Sequence, residues 1–307
     1  MPPPRSPPSH LLFALDSHKG AVHTAVYNTG GTYILSGGAD RQVRLTNAKT
    51  GAPIKTYAGH GYEVLSITCT HDNTRFASCG GDRSVFLWDV TSGDILRRMS
   101  GHMGRVNAVA WNRDSTVLAS GSFDTTVRLW DIKSQNRAPL QVLDDARDSI
   151  TSILIRDHLV VTGCVDGYAR TYDLRKGQLQ SDFFDQPVTS LSLTLDSSLL
   201  LVSTLDSTHR LLDLSRGSVV QSLTGHKNTS YRSQSCLGAR EETVLCGDEE
   251  GKVWGWDLET GAPLARASFR AHDKAILWTA HHHKEQQLVT ASSDGSVKVW
   301  GAEAPSA

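Results

Sequence analysis

Residues 75–89 read RFASCGGDRSVFLWD and residues 117–131 read VLASGSFDTTVRLWD, and this pair of stretches decides the fold. Each ends in Val-x-Leu-Trp-Asp, at residues 85–89 and 127–131, with the two Trp 42 residues apart. The same frame carried along the chain picks out Thr46, Trp88, Trp130, Tyr172, Leu212, Trp256 and Trp300. The steps between them are 42, 42, 42, 40, 44 and 44 residues. Seven units of that period mark a repeat architecture in which no unit buries its own faces and neighbours must stack.

A second marker rides on the first. Six residues before the anchors stand Asp40, Asp82, Asp124, Asp166, Asp206, Glu250 and Asp294, each after a short run such as SGGA, SCGG or SGSF. The pattern predicts a tight turn between two strands. Gly would supply unusual backbone angles and the acid would accept backbone N–H bonds.

A third marker is His, 28 residues before the anchor at His18, His60, His102 and His272, and 30 before it at His226. The fourth and fifth units lack it, reading DDARDSI and FDQPVTS. With a hydroxyl four residues before the acid, a four-residue set is complete in three units. These are His60, Ser78, Asp82, Trp88; His102, Ser120, Asp124, Trp130; and His272, Thr290, Asp294, Trp300. A buried indole N–H and a buried imidazole need partners, and a hydroxyl and a carboxylate supply them. Ser, His and Asp also spell a catalytic triad, but three copies at one place in a repeat read as structure rather than as a hydrolase site.

This Gly-His…Trp-Asp pattern resembles the WD-repeat family. The resemblance implies an all-β chain: a single seven-bladed β-propeller, each blade a four-stranded sheet, with the tetrads as hydrogen-bonded chains inside the blades. The last unit ends at Trp300 with only GAEAPSA beyond, so it lacks an outer strand of its own. LLFALD (residues 11–16) is the natural candidate to close the ring and cover the sheet edge. Its removal should cost far more than removal of residues 1–9. The expected organisation is a disordered Pro-rich tail at 1–10, the propeller at 11–301 and a short flexible tail at 302–307.

Composition agrees with short strands and many turns. The chain has 307 residues, 26 Gly and 39% hydrophobic residues. A formal charge of −1, from 31 basic and 32 acidic residues, gives no general pull toward nucleic acid or anionic membrane. No apolar run reaches the length of a membrane span. Five cysteines without CxxC spacing argue for a reducing compartment, and MPPPRSPPSH lacks the apolar segment of a secretory signal. The expected location is cytoplasm and nucleus.

No glycine-rich phosphate loop, HExxH or GxSxG occurs, so no catalytic residue, cofactor or small-molecule substrate is expected. His281, His282 and His283 raise a metal hypothesis, but adjacent histidines do not point to one centre, and they read as a solvated hairpin loop. Recognition is expected on the loops after each His, because loops carry function on rigid scaffolds. The rim residues to inspect are Tyr62, Glu63, Met103, Arg105, Arg147, Asp148, Lys227, Tyr231 and Lys274.

The departures from the repeat carry a closer resemblance. GHGYEVL (59–65), LDDARDSITS (143–152), YDLRKGQLQSD (172–182), STLDSTHRLLD (203–213) and GHKNTSYR (225–232) together look like the mitogen-activated protein kinase organizer family of WD-repeat proteins. That likeness implies a non-enzymatic scaffold whose partners are kinase-cascade components or, since relatives are associated with the spliceosome, splicing factors. Direct nucleic-acid contact is not expected, because no basic face with interleaved aromatics is visible. A second reading, substrate receptor of a cullin-type ubiquitin ligase, rests on YDLR (Tyr172, Asp173, Leu174, Arg175), close to the Trp-Asp-x-Arg of such receptors but with Tyr for Trp.

Overall fold

A computed structural model describes residues 6–15, 18–134 and 136–302. Seven four-stranded antiparallel sheets follow one another along the chain. The seven-bladed ring expected from the repeat is the observed fold. Six blades take four consecutive strands; the seventh takes Ile276–His281, Gln287–Ser292 and Val297–Gly301 and is completed by His10–Leu15. That closing strand pairs Leu11 with Trp300, Phe13 with Val299 and Leu15 with Val297, around a bulge between Leu11 and Phe13. The strand starts at His10, inside the stretch read as tail, and Pro7 and Pro8 are buried, so residues 7–10 belong to the packed body. Asp16, the last residue of the expected closing segment, and residues 1–5 and 303–307 of the two tails lie outside the described residues.

The apolar core lies between blades rather than within them. Seven clusters of buried side chains each straddle two neighbours. Leu35, Val43 and Tyr57 of blade 1 pack on Val64, Ile67, Phe76 and Trp88 of blade 2, and Leu15 with Val289 and Val299 of blade 7 packs on Val22 and Ile34 of blade 1. This is the physical reason one unit alone does not fold: half of its burial belongs to the next.

Two glycines of the turn runs, Gly37 and Gly121, serve this stacking. A Cβ on Gly37 would stand 2.8 Å from Val64 Cγ1, and one on Gly121 would stand 2.5 Å from Ile150 Cγ2. The branched residue that begins the next inner strand fills the space a side chain would need. The left-handed backbone falls on the residue after the acid position counted back from each anchor: Arg41, Arg83, Thr125, Gly167, Ser207, Gly251 and Gly295, with φ between 57° and 95°. Gly supplies the turn geometry, as expected, in blades 4, 6 and 7, and Arg, Thr or Ser takes it in the other four.

Inner strands line a central channel. In six blades the inner pair carries a bulge two residues in, as between Val22 and Thr24 or Val106 and Ala108. Blade 6 departs: its inner strand is only Cys236–Leu237, and Gln234 instead makes a parallel bridge to Trp278 of blade 7.

Candidate functional site

The tetrads rigidify the loops that could carry recognition. In blade 2, Trp88 Nε1 donates to Ser78 Oγ at 2.7 Å, Ser78 Oγ lies 2.6 Å from His60 Nε2, and His60 Nδ1 lies 2.7 Å from Asp82 Oδ2. One proton assignment links the four members: indole N–H to hydroxyl oxygen, hydroxyl to Nε2, Nδ1–H to carboxylate, with Asp82 Oδ1 left buried without a partner. Blades 3 and 7 repeat it through His102, Ser120, Asp124, Trp130 and through His272, Thr290, Asp294, Trp300. Blade 1 keeps His18, Ser36 and Asp40, with Thr46 at the Trp position. Ser78, Ser120 and Thr290 have no exposed surface, and each hydroxyl oxygen is already committed to an indole N–H. A nucleophile needs that oxygen free and reachable.

The acid does more than cap its own turn. Asp124 also accepts from Met103 N at 2.7 Å and from Thr126 N at 3.0 Å, clamping the loop after His102 to the turn. Burial opposes its charge, yet the hydrogen bonds from His102 and Thr126 hold its carboxyl well below the usual range. Burial also lowers the His18 and His272 imidazoles, against the pull of Asp40 and Asp294.

Blades 4 to 6 find other solutions. In blades 4 and 5 an arginine takes the turn acid: Arg170 Nη2 lies 2.7 Å from Asp166 Oδ2, and Arg210 Nη2 lies 2.5 Å from Asp206 Oδ2. In blade 6 the turn acid is Asp248, not Glu250. Asp248 Oδ1 accepts from Glu250 N and Lys252 N at 2.9 and 2.7 Å, and Oδ2 accepts from Trp254 Nε1 at 2.7 Å. Glu250 pairs outside with Lys252 and Lys227. His226 therefore has no carboxylate and stacks on His209 of blade 5, ring centroids 4.1 Å apart and planes 5° from parallel.

Neither ring nitrogen of His226 has a partner, and burial lowers its pKa to about 4. Burial, then His226, push His209 down as well. His209, His226 and Cys246 are the one group among the described residues whose ligand atoms lie within 4.8 Å of one another. Parallel imidazoles hold their in-plane lone pairs parallel, so the pair does not converge on one ion, and burial keeps the Cys246 thiol protonated.

The His run is not a solvated loop throughout. His282 is buried; its ring accepts from Lys284 N and Glu285 N, and Nε2 reaches Gly31 O of blade 1 at 3.1 Å. It ties blade 7 to blade 1 across the closure.

Of the expected rim residues, the structure brings three together. Glu63, Arg105 and Tyr231 line a cavity of about 340 Å³ at the channel mouth on the His side. Sequence reasoning missed the rest of its lining, including His23, Asn107, Arg232 and Trp278; His23, Asn107 and Trp278 lie on inner strands, where no turn signal marks them. Glu63 holds His23 at 3.2 Å, Arg105 lies over the Phe123 ring, and Arg232 Nη1 donates across the channel to Asn107 O at 2.8 Å. Tyr62 (63% exposed), Met103 (77%), Phe123 and Tyr231 stand exposed around this mouth. Arg147, Asp148, Lys227 and Lys274 are exposed elsewhere on the rim: Arg147 N donates to Asp166, and Lys227 pairs with Glu250. Arg175 is exposed, with Nη2 2.9 Å from His158 Nε2.

Fold, tetrads and channel together define a WD-repeat propeller, typically a non-enzymatic platform for protein–protein interaction. The profile described as "WD domain, G-beta repeat" matches residues 9–47, 51–89, 93–131 and 265–301, and the chain belongs to this WD-repeat family. Each matched stretch joins the outer strand of one blade to the three inner strands of the next, and those next blades are 1, 2, 3 and 7, the ones that keep the His, the hydroxyl and the acid. Among curated proteins, the chain is 57% identical over 250 residues to an uncharacterized WD repeat-containing protein of Schizosaccharomyces pombe, covering 81% of this chain and 84% of that protein. It is 50% identical over 305 residues to WD repeat domain-containing protein 83 of Homo sapiens (99% and 96% covered) and 50% identical over 304 to that of Rattus norvegicus (98% and 96%).

Proposed function

We propose that this protein is a scaffold on which multi-protein assemblies form, serving pre-mRNA splicing, mitogen-activated protein kinase signalling or both, in the cytoplasm and nucleus. The observation that carries the reading is the exposure of Tyr62, Met103 and Phe123 on the loops and turns of blades 2 and 3, with Arg105 over Phe123, on loops held rigid by the tetrads. Aromatic, Met and Arg side chains on a rigid base are what interface cores favour. The likeness of the irregular stretches to the kinase organizer proteins supports the choice of partners.

Affinity purification of the full chain from its native cell tests it. Splicing factors with small nuclear RNA would mark one role, and kinases without RNA the other. Met103→Glu, which puts a charge on this surface and keeps the backbone N–H that Asp124 accepts, should reduce recovery about tenfold. Recovery of neither set under native conditions would sink the proposal. The ligase-receptor reading makes a separate claim: Arg175→Ala should abolish adaptor binding.

A further inference from the structure

We infer that the His-side channel mouth binds a phosphate group carried on a protein partner, a phosphoserine or phosphothreonine side chain gripped between Arg105 and Arg232. This rests on the scaffold reading and names the chemistry one of its partners presents.

Arg105 on blade 3 and Arg232 on the segment entering blade 6 line the same cavity. Among the described residues, neither guanidinium has a carboxylate within ion-pair distance. Among the described residues the Arg232 guanidinium makes one hydrogen bond, to Asn107 O, and the Arg105 guanidinium makes only its contact over Phe123. This is unlike the propeller's turn arginines: Arg44, Arg170 and Arg210 are each neutralised by the acid of their own blade. Burial, with Arg105 adding to it, lowers the Arg232 pKa to about 10, the direction expected of two cations facing one space. A third donor is unused, because Trp278 Nε1 is buried without a partner on the wall of the same cavity. Glu63, the one carboxylate lining it, is engaged by His23.

The donor count selects the ligand. One guanidinium fork satisfies the two oxygens of a carboxylate, whereas two guanidinium groups match the three oxygens and double charge of a phosphate monoester. A cavity of about 340 Å³ admits a side chain rather than a folded element. The exposed Tyr62, Met103 and Tyr231 beside it offer apolar flanks to the peptide bearing that side chain.

The test uses the full chain immobilised and three probes: a random peptide library with a fixed central phosphoserine, the same library with serine, and inorganic phosphate as competitor. The phosphoserine library should be retained about tenfold over the serine library, and inorganic phosphate should erase the difference. Arg105→Gln, at an exposed position with no hydrogen bond to lose, should remove the preference; Arg232→Gln should do the same with the fold checked by circular dichroism. Equal retention of the two libraries, or a preference that survives both substitutions, overturns the proposal. Binding of inorganic phosphate with no preference between libraries overturns its protein-borne part. Cell proteins captured equally by wild type and Arg105→Gln, with or without phosphatase treatment, overturn the phosphate site and leave the scaffold standing. Capture of no protein by either overturns the scaffold reading and this site with it.

Discussion

Ser78 holds two buried groups with one hydroxyl, accepting from Trp88 and facing His60 Nε2, so Ser78→Ala strands both. Each stranded polar group costs about 1–3 kcal/mol, and the pair should cost about 2–6 kcal/mol. Ser36→Ala in blade 1 strands only His18 Nε2, because Thr46 has no indole, and should cost about half as much. Urea unfolding of the two variants checks the ranking; equal losses would mean the Trp bond contributes nothing. The stacked imidazoles give a second prediction. His226 titrates at 6.5 unfolded and about 4 folded, so between those values the unfolded chain binds the extra proton. Its contribution is therefore complete above pH 6.5 and is lost as pH falls toward 4, up to about 3 kcal/mol. His209 is depressed by burial and adds a loss of the same sign. His209→Leu should flatten the slope of stability against pH between 7 and 5 by about one proton. Urea midpoints at several pH values measure this, and an unchanged slope refutes it. Neither imidazole's environment is legible in sequence: His226 looks like an ordinary repeat His, and its partner comes from the neighbouring blade.

At the scale of the strand, the closing segment was legible as an apolar run ahead of the first repeat His that belongs to no unit of its own, and it covers the Val297–Gly301 edge. What sequence did not reveal is how far the packing extends. His10 is in the strand and Pro7 and Pro8 are buried, because proline rings need no hydrogen-bond partner to be packed against a blade. Deleting residues 10–15 removes a whole outer strand, including Leu15 and Phe13 from the blade 7–blade 1 cluster, and exposes the Val297–Gly301 edge. That variant should unfold below physiological temperature or associate through the open edge. Deleting residues 6–9 should lower the melting temperature by only a few degrees, roughly the effect of about 1–2 kcal/mol on a chain this long. Melting with light scattering separates the two. The blade 6 turn was misread for a related reason. A fixed count back from Trp256 lands on Glu250, but the acid that closes the turn is chosen by which carboxylate meets Lys252 N, and that is Asp248.

For the molecule as a whole, the seven inter-blade clusters make the ring cooperative, yet the ring is not uniform. Blades 1, 2, 3 and 7 anchor their loops through buried His–hydroxyl–acid chains, with a Trp in all but the first. Between blades 5 and 6 that order fails. His209 Nε2, both nitrogens of His226 and both side-chain polar atoms of Asn228 are buried without partners, and the inner strand of blade 6 is two residues long. Each unpaired buried group lowers the local free-energy cost of opening, because water satisfies it once the region loosens. Local opening should therefore start at residues 225–238 and leave blades 2 and 3 for last. Native-state hydrogen exchange at neutral pH should find the amides of Cys236–Leu237 and of the neighbouring loop exchanging far ahead of Val64–Cys69 and Val106–Trp111. Arg232, the cation that crosses the channel, belongs to that same soft segment. A ligand held between Arg232 and Arg105 would tie it to blade 3, so exchange at 225–238 should slow when a phosphoserine peptide binds while blades 2 and 3 stay unchanged. Uniform exchange around the ring would show instead that the unpaired groups of blades 5 and 6 leave no weak seam.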